Sequence, residues 1–359
     1  MAAVAAVGLS LLGGLASTLW QARAAAAYAE AAAAEAAKQR AVRDFLVRLF
    51  HGADPGEALG RELTARDLLD RGRRELDTAF VAQPILRAEL IAVVAAVYTA
   101  LGAWRQSDSL FARSVALTRT LPGDVDAELA SRLAEWADNT LNSGTLEQAD
   151  TLLQEAVERM RRVGTADGRV AWPLRMLARV KTYQRRLDLA KALAREALAI
   201  DLHHHGDGSR EVAADLDVLG VALLDAGEVA GADSATTASL AIWRRLLEPD
   251  DPTRLWSMSN LAEVRAAQGN DQEAERLLRE VAAGQHRIYP NGHSEMAHTA
   301  LVLGDLFERQ GRYAEAESTT AEAIAWNRSL LGQEHSHVAM LMHRLADFRR
   351  HLGKAPVMR

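Results

Sequence analysis

Three consecutive histidines, His203 to His205, form the densest group of potential metal ligands in this 359-residue chain. A zinc centre needs its ligands placed around one point. Successive side chains on a helix point in different directions, so the run reads as a solvated helix end. His293 and His335 stand 42 residues apart and reflect a repeat rather than a shared site. His337, His343 and His351 fall partly on one helical face but bring no evident carboxylate with them. The chain has no cysteine, which removes thiolate metal sites, disulfides and cysteine nucleophiles together. Carboxylate pairs such as Glu315 with Glu317 and Asp250 with Asp251 are common. Glycoside chemistry needs two carboxyl groups facing across one cleft, whereas these read as solvated faces and helix caps. Phosphoryl transfer of the protein-kinase kind needs a phosphate-cradling glycine loop, a strand lysine followed by a catalytic-loop aspartate, and a metal-binding Asp-Phe-Gly. None of these occurs in the sequence. The expectation is recognition without chemistry, with no catalytic residue, no cofactor and no metal.

The elements that would present a recognition surface are helices. Ala, Leu, Arg and Glu dominate, and aromatics make up only 5%, a composition that favours an all-α chain. The formal charge of −6 is spread along the sequence without a basic stripe, which argues against nucleic acid as a partner because phosphate neutralisation needs clustered cations.

The helices repeat. Aligned on a turn residue, the same pattern returns at Gly102, Gly144, Arg185, Gly227, Gly269, Gly311 and Gly353, in steps of 42, 41, 42, 42, 42 and 42. Seven positions earlier the residue is always small: Ala95, Ala137, Ala178, Gly220, Ala262, Gly304 and Ala346. One position before that it is large and apolar, as in Trp136, Leu177, Leu219 and Leu261. Five positions after the turn stand Ser107, Ala149, Ala190, Ala232, Ala274 and Ala316. A small residue beside a large one lets a neighbouring helix approach and receive the side chain. Eighteen positions before the turn come Pro84, Asp126, Asp167, Ser209, Asp251, His293 and His335, several of them good N-caps, with Pro252 suited to a first helical position. Each unit therefore reads as capped helix, glycine turn, second helix and linker, and stacked units of this length signal a solenoid. Two departures carry expectations. Arg185 replaces the turn glycine, so its corner must avoid a positive φ or be slightly strained. The segment "GEVAGADSATTASL" after Gly227 is rich in Gly, Ser and Thr, which predicts the least rigid unit.

The segment "LGDLFERQGRYAEAESTTAEAI" resembles the tetratricopeptide repeat, and the period with linkers such as "LLGQEHSHVA" is similar to the longer repeats of kinesin light chains. The resemblance covers residues 84–353, six full units and the first helix of a seventh, followed by a tail over 354–359. It implies an all-α superhelical solenoid whose first helices line a concave groove suited to an extended or helical peptide.

Ahead of the repeats, residues 1–22 are uncharged. Twenty or so helical residues suffice to cross a ~30 Å hydrocarbon core, so this run reads as a membrane span, with membrane contact through residues 2–22 and Trp20 as an interfacial anchor. A cleaved signal peptide is the alternative. Residues 23–51 read as a helical rod and 52–83 as a connecting loop and helix. The span, the rod and "AVRDFLVRLFHGADPGEALGRELTARDLLDRGRREL" are similar to the segment that follows the catalytic domain in bacterial transmembrane serine/threonine kinases with C-terminal repeats. That resemblance implies a protein anchored in the bacterial inner membrane with its repeats outside the cytoplasm; the cleaved signal peptide would instead leave a secreted or periplasmic one.

Counting along the first helices, the positions expected to face the groove are Trp172, Arg175, Arg179, Tyr183, Asp217, Trp256, Ser259, Asn260, Glu263, His298, Asp305, Glu308 and His343. Trp172 and Trp256 are the expected apolar anchors, with packing against the next unit as their other reading. "SNLAEV" from Ser259 resembles the Asn-Leu-Ala element of the kinesin-light-chain repeats, which implies that Asn260 holds peptide backbone. The other units carry Val93, Glu135, Met176, Val218 and Val302 in that column, so no ladder of Asn exists. The reading is a membrane-anchored scaffold that binds a protein or peptide. Two alternatives stand beside it: the sensory portion of a transmembrane kinase whose catalytic domain is absent from this chain, and a structural factor that associates with copies of itself.

Overall fold

A computed structural model describes residues 33, 36–37, 39–45, 47, 65–123, 125–164, 168–290, 293–331 and 336–354. The expected span over 1–22, much of the rod, the loop ahead of residue 65 and most of the tail lie outside the described residues. Among the described residues no helix is long and apolar enough to cross a membrane. Every described residue between 33 and 47 is helical. Phe45, expected on a rod, is buried instead among Leu69, Leu76, Leu86 and Leu90.

The helices are α1 (Ala65–Thr78), α2 (Pro84–Ala100), α3 (Trp104–Arg119), α4 (Asp126–Asn142), α5 (Leu146–Val163), α6 (Ala171–Tyr183), α7 (Leu187–His205), α8 (Arg210–Asp225), α9 (Val229–Leu246), α10 (Pro252–Ala267), α11 (Asp271–Ile288), α12 (Ser294–Arg309), α13 (Tyr313–Leu331) and α14 (Ser336–His351). The chain divides into two compact units, residues 1–139 and 140–359.

The corner register follows from backbone chemistry. At the end of α12, Gly311 takes φ +71°. Its N–H donates to the Glu308 carbonyl at 2.9 Å, and the Arg312 N–H donates to the Phe307 carbonyl at 2.9 Å. Those two bonds satisfy carbonyls that the last helical turn leaves open, and they require a left-handed residue between them. The same pair closes α6, where the Arg185 N–H reaches Thr182 and the Arg186 N–H reaches Lys181, both at 2.9 Å. Arg185 therefore adopts φ +58° without a glycine's freedom, the strained outcome of the two expected. Its guanidinium bonds Asp225 at 3.0 Å, but the pair is exposed and worth little. Arg185→Gly is expected to raise stability by roughly 0.5–1 kcal/mol, the left-handed strain outweighing glycine's entropy. A melting midpoint unchanged or lower than wild type would refute this.

The start of each second helix is equally local. Trp104, Leu146, Leu187, Val229, Asp271 and Tyr313 each open one, two residues past the turn. First helices begin at caps: the Ser209 side chain accepts from the Val212 N–H, Asp251 from Thr253 and His293 from Glu295. Asp167 and His335 lie outside the described residues.

In unit 1, Leu90, Ile91, Val94, Ala95 and Tyr98 of α2 form a core with Leu110 and Phe111 of α3. In unit 2, successive helices pack as neighbours, and the first helices α6, α8, α10 and α12 also approach one another in series. Among the described residues no pair of second helices does so as closely, which puts the first helices on the inner face. The small columns make this approach possible. Ala95, Ala137, Ala178 and Ala262 are fully buried, as are Ser107, Ala149, Ala190, Ala232, Ala274 and Ala316. Ala346 on α14 is only half-buried. The helix after Gly227 buries several of its hydroxyl side chains. Thr236 and Ser239 are fully buried, and Ser239 donates to the Ala213 carbonyl of α8 at 2.8 Å, so the Ser239 hydroxyl ties the two helices together.

Candidate functional site

Within unit 2 the inner faces of α6, α8 and α10 surround a concavity of about 350 Å³. Its wall is apolar, from Met176, Val218 and Trp243, all buried. Arg175 and Arg179 flank it on α6, and Trp256 on α10. Tyr289, His293 and Glu295 reach in from the linker and first turn of α12. The Tyr289 and His293 rings stack at 4.2 Å with planes 12° apart. Burial, with Glu295 and Asp251 nearby, pushes the Tyr289 phenol upward from its ordinary range.

The two arginines differ. Arg175 is held inward: its Nη1 donates to Asp215 Oδ1 at 3.0 Å, to the Glu211 carbonyl at 3.3 Å and to Asp201 Oδ2 at 3.5 Å. Arg179 has no carboxylate partner among the described residues; its recorded contact is with the Met176 sulfur at 3.6 Å. A guanidinium beside an apolar wall and without a counter-charge attracts an anion strongly, because low-dielectric surroundings screen it weakly.

Asp217 lies at the floor and is fully buried. The Trp243 indole N–H donates to its Oδ2 at 2.8 Å and the Ser257 hydroxyl to its Oδ1 at 2.8 Å. Burial dominates and pushes this carboxyl up to about 6, against the pull of those hydrogen bonds. Loss of hydration thus outweighs donation.

Of the residues expected on the groove, the structure brings Arg175, Arg179, Asp217 and Trp256 together at the concavity. Asp217, Ser259 and Asn260 are buried rather than exposed, because the first helices approach closely enough to cover them. The Asn260 amide nitrogen helps to hold the Asp217 charge but lacks a partner in hydrogen-bonding geometry. Trp172 is half-buried and Tyr183 is exposed, and neither lines the concavity. His298 meets Glu263 at 3.1 Å, and that hydrogen bond, chiefly, raises the imidazole above its ordinary range. Asp305 and Glu308 both pair with Arg344, and His343 is exposed beside Asp347. Pro252, Thr253, Tyr289, His293 and Glu295 line the site without having been expected there. Their one signal was that His293 and Asp251, next to Pro252, occupy the capping column.

His203 to His205 close α7 in its last turn, and among the described residues no group of three or more His, Asp or Glu side chains is placed to hold a metal.

Residues 211–285 match the tetratricopeptide repeat family. No curated protein matches the chain. Among solved structures, BtubC (BKLC) from P. vanneervenii is similar at 22% identity and a TM-score of 0.52, over 63% of this chain and 91% of that one. A Rap protein complexed with competence and sporulation factor is similar at 14% identity and a TM-score of 0.58, over 90% and 94%. A tetratricopeptide repeat protein from Parabacteroides merdae is similar at 10% identity and a TM-score of 0.53, over 83% and 96%. At these identities the likeness is one of fold. The chain has the all-α tetratricopeptide-repeat fold and carries that repeat's sequence over residues 211–285.

Proposed function

We propose that unit 2 binds a segment of a partner protein along its first helices, and that the concavity receives an acidic side chain next to an apolar one. The observation that supports this is Arg179, whose guanidinium makes no ion pair among the described residues and lines the pocket with Met176, Val218 and Trp256. The apolar wall takes the stem or ring of a ligand residue, and Arg179 takes the carboxylate. Arg175 serves differently, since its charge is already engaged by Asp215.

Panning the whole chain against a random twelve-residue peptide library tests this. Enriched sequences are expected to carry Asp or Glu near an aromatic or branched residue. Arg179→Glu is expected to weaken them roughly thirtyfold or more, a central hot-spot effect, and to shift selection toward Lys and Arg. Unchanged selection and affinity in both Arg179→Glu and Trp256→Ala would place binding elsewhere.

A further inference from the structure

Beneath the concavity lies a group that the binding reading does not use. Asp201 from α7 and Asp215 from α8 converge on the single guanidinium of Arg175. Asp215 is fully buried and Asp201 nearly so. The second oxygen of Asp215, Oδ2, is buried and receives no hydrogen bond among the described residues. An ionised oxygen stripped of water and of donors is costly, whereas a protonated one donates rather than accepts. Two carboxyl groups in one dry site also disfavour double ionisation. We propose that Asp201 and Asp215 hold one proton between them at neutral pH, and that this proton sets the charge under the ligand pocket.

The charged surroundings leave that proton in place. Arg175 acts on the pair from α6, His205 from α7, where its Nε2 lies 3.7 Å from Asp201, and Glu211 from α8. On α9 and α10, Asp233 pairs with Arg265, Arg244 acts on Glu273, Arg245 lies over Gly208, and Arg254 donates to the Leu247 carbonyl. Burial, then the charge of Asp201, pushes the Asp215 carboxyl up to about 8 against the attraction of Arg175. With the proton held, Arg175 and the pair sum to zero and add nothing to the charge of the buried Asp217 at the floor of the pocket that Arg179 flanks. With the proton lost, a net negative charge lies beneath Arg179 and anion binding weakens. This second step rests on the acidic-segment reading of the pocket.

The sign follows from linkage. A carboxyl whose pKa is raised in the native state keeps a proton that the unfolded chain has released, so stability falls as pH rises until the native group titrates. The test compares the full chain with Asp215→Asn, which keeps the shape and a donor toward Asp201. Between pH 6 and 7.5 the unfolding constant of wild type, divided by that of Asp215→Asn, is expected to rise about tenfold per pH unit. Asp201→Asn, which removes the neighbouring charge but not the burial, should make the same slope shallower, which guards against a poorly folded first variant. A ratio independent of pH for both variants, or carboxyl carbon-13 titrations that place both groups in the ordinary range, would overturn the shared proton. Octaglutamate binding, followed by fluorescence polarisation, is expected to weaken severalfold in wild type from pH 6 to 8 and less in Asp215→Asn. Octaglutamate that binds at no pH, with the stability slope present, would overturn the pocket's assignment and leave the shared proton supported.

Discussion

Replacing Asp217 with alanine is expected to destabilise unit 2 by about 3–4 kcal/mol, more than any single change at an exposed groove position. The reason lies in what remains. The Trp243 indole N–H and the Ser257 hydroxyl both end on the Asp217 carboxylate, and Trp243, Ser239 and Ser257 are buried. Each donor left without an acceptor costs about 1–3 kcal/mol, and a small cavity adds to this. Asparagine offers the contrast. It keeps an acceptor for Trp243 and gives a donor to Ser257, whose hydroxyl accepts as readily as it donates, and it removes a charge that burial disfavours. Asp217→Asn is therefore expected within about 1 kcal/mol of wild type at pH 7. It should also flatten a slope: the wild-type carboxyl, raised to about 6, contributes stability that is fully present below pH 4 and is lost as pH rises to about 6. Urea titrations of both variants at pH 4 and pH 7 decide the matter. Equal losses for alanine and asparagine would mean that hydrogen bonding at Asp217 is not what holds the α8, α9 and α10 junction.

The same residue shows where the sequence was legible and where it was not. Corner positions are written locally, since a left-handed residue, a capped start and a helical period fix each hairpin within one unit. The register of Gly311, Arg185 and the second-helix starts was therefore readable, and so was the burial of Ala178 and Ala262. What period alone leaves open is how far one first helix tilts onto the next. Asp217, Ser259 and Asn260 sit at angles that face either the groove or the neighbouring helix, and close approach put them inside. The partners that reveal Asp217 as a buried acceptor, Trp243 and Ser257, lie 26 and 40 residues away, on two different helices. Arg175 and Arg179 looked equivalent one turn apart, yet only the structure shows that the Asp201 and Asp215 carboxyls claim the first and leave the second free. Tyr289 and Glu295 enter the site from the C-cap of α11 and the first turn of α12, and the columns aligned on the corner turns do not report them.

Gly220→Leu is expected to lower the stability of the α8 and α9 pair by at least about 3 kcal/mol, the clearest test of the small-residue column. A Cβ at Gly220 would come within 2.5 Å of Thr236 Cγ2 and 3.5 Å of the Thr236 amide nitrogen. Thr236 cannot simply turn aside. It is fully buried, its hydroxyl donates to the Ala232 carbonyl at 2.9 Å, and β-branching restricts its rotamers on a helix. Alanine separates two opposing effects, because it gains about 1 kcal/mol of helix propensity over glycine while meeting that contact. Gly220→Ala alone is expected to be neutral to destabilising, and Gly220→Ala with Thr236→Ala to recover part of the loss, the coupling that a double-mutant cycle isolates for residues in contact. Leucine adds bulk that no neighbouring rotamer accommodates, so α8 and α9 must separate. Amide exchange is the direct readout. Protection across residues 210–246 should fall in Gly220→Leu while the α3 amides of unit 1 serve as the internal reference, and full retention of protection would show that the helices do not depend on a small residue there.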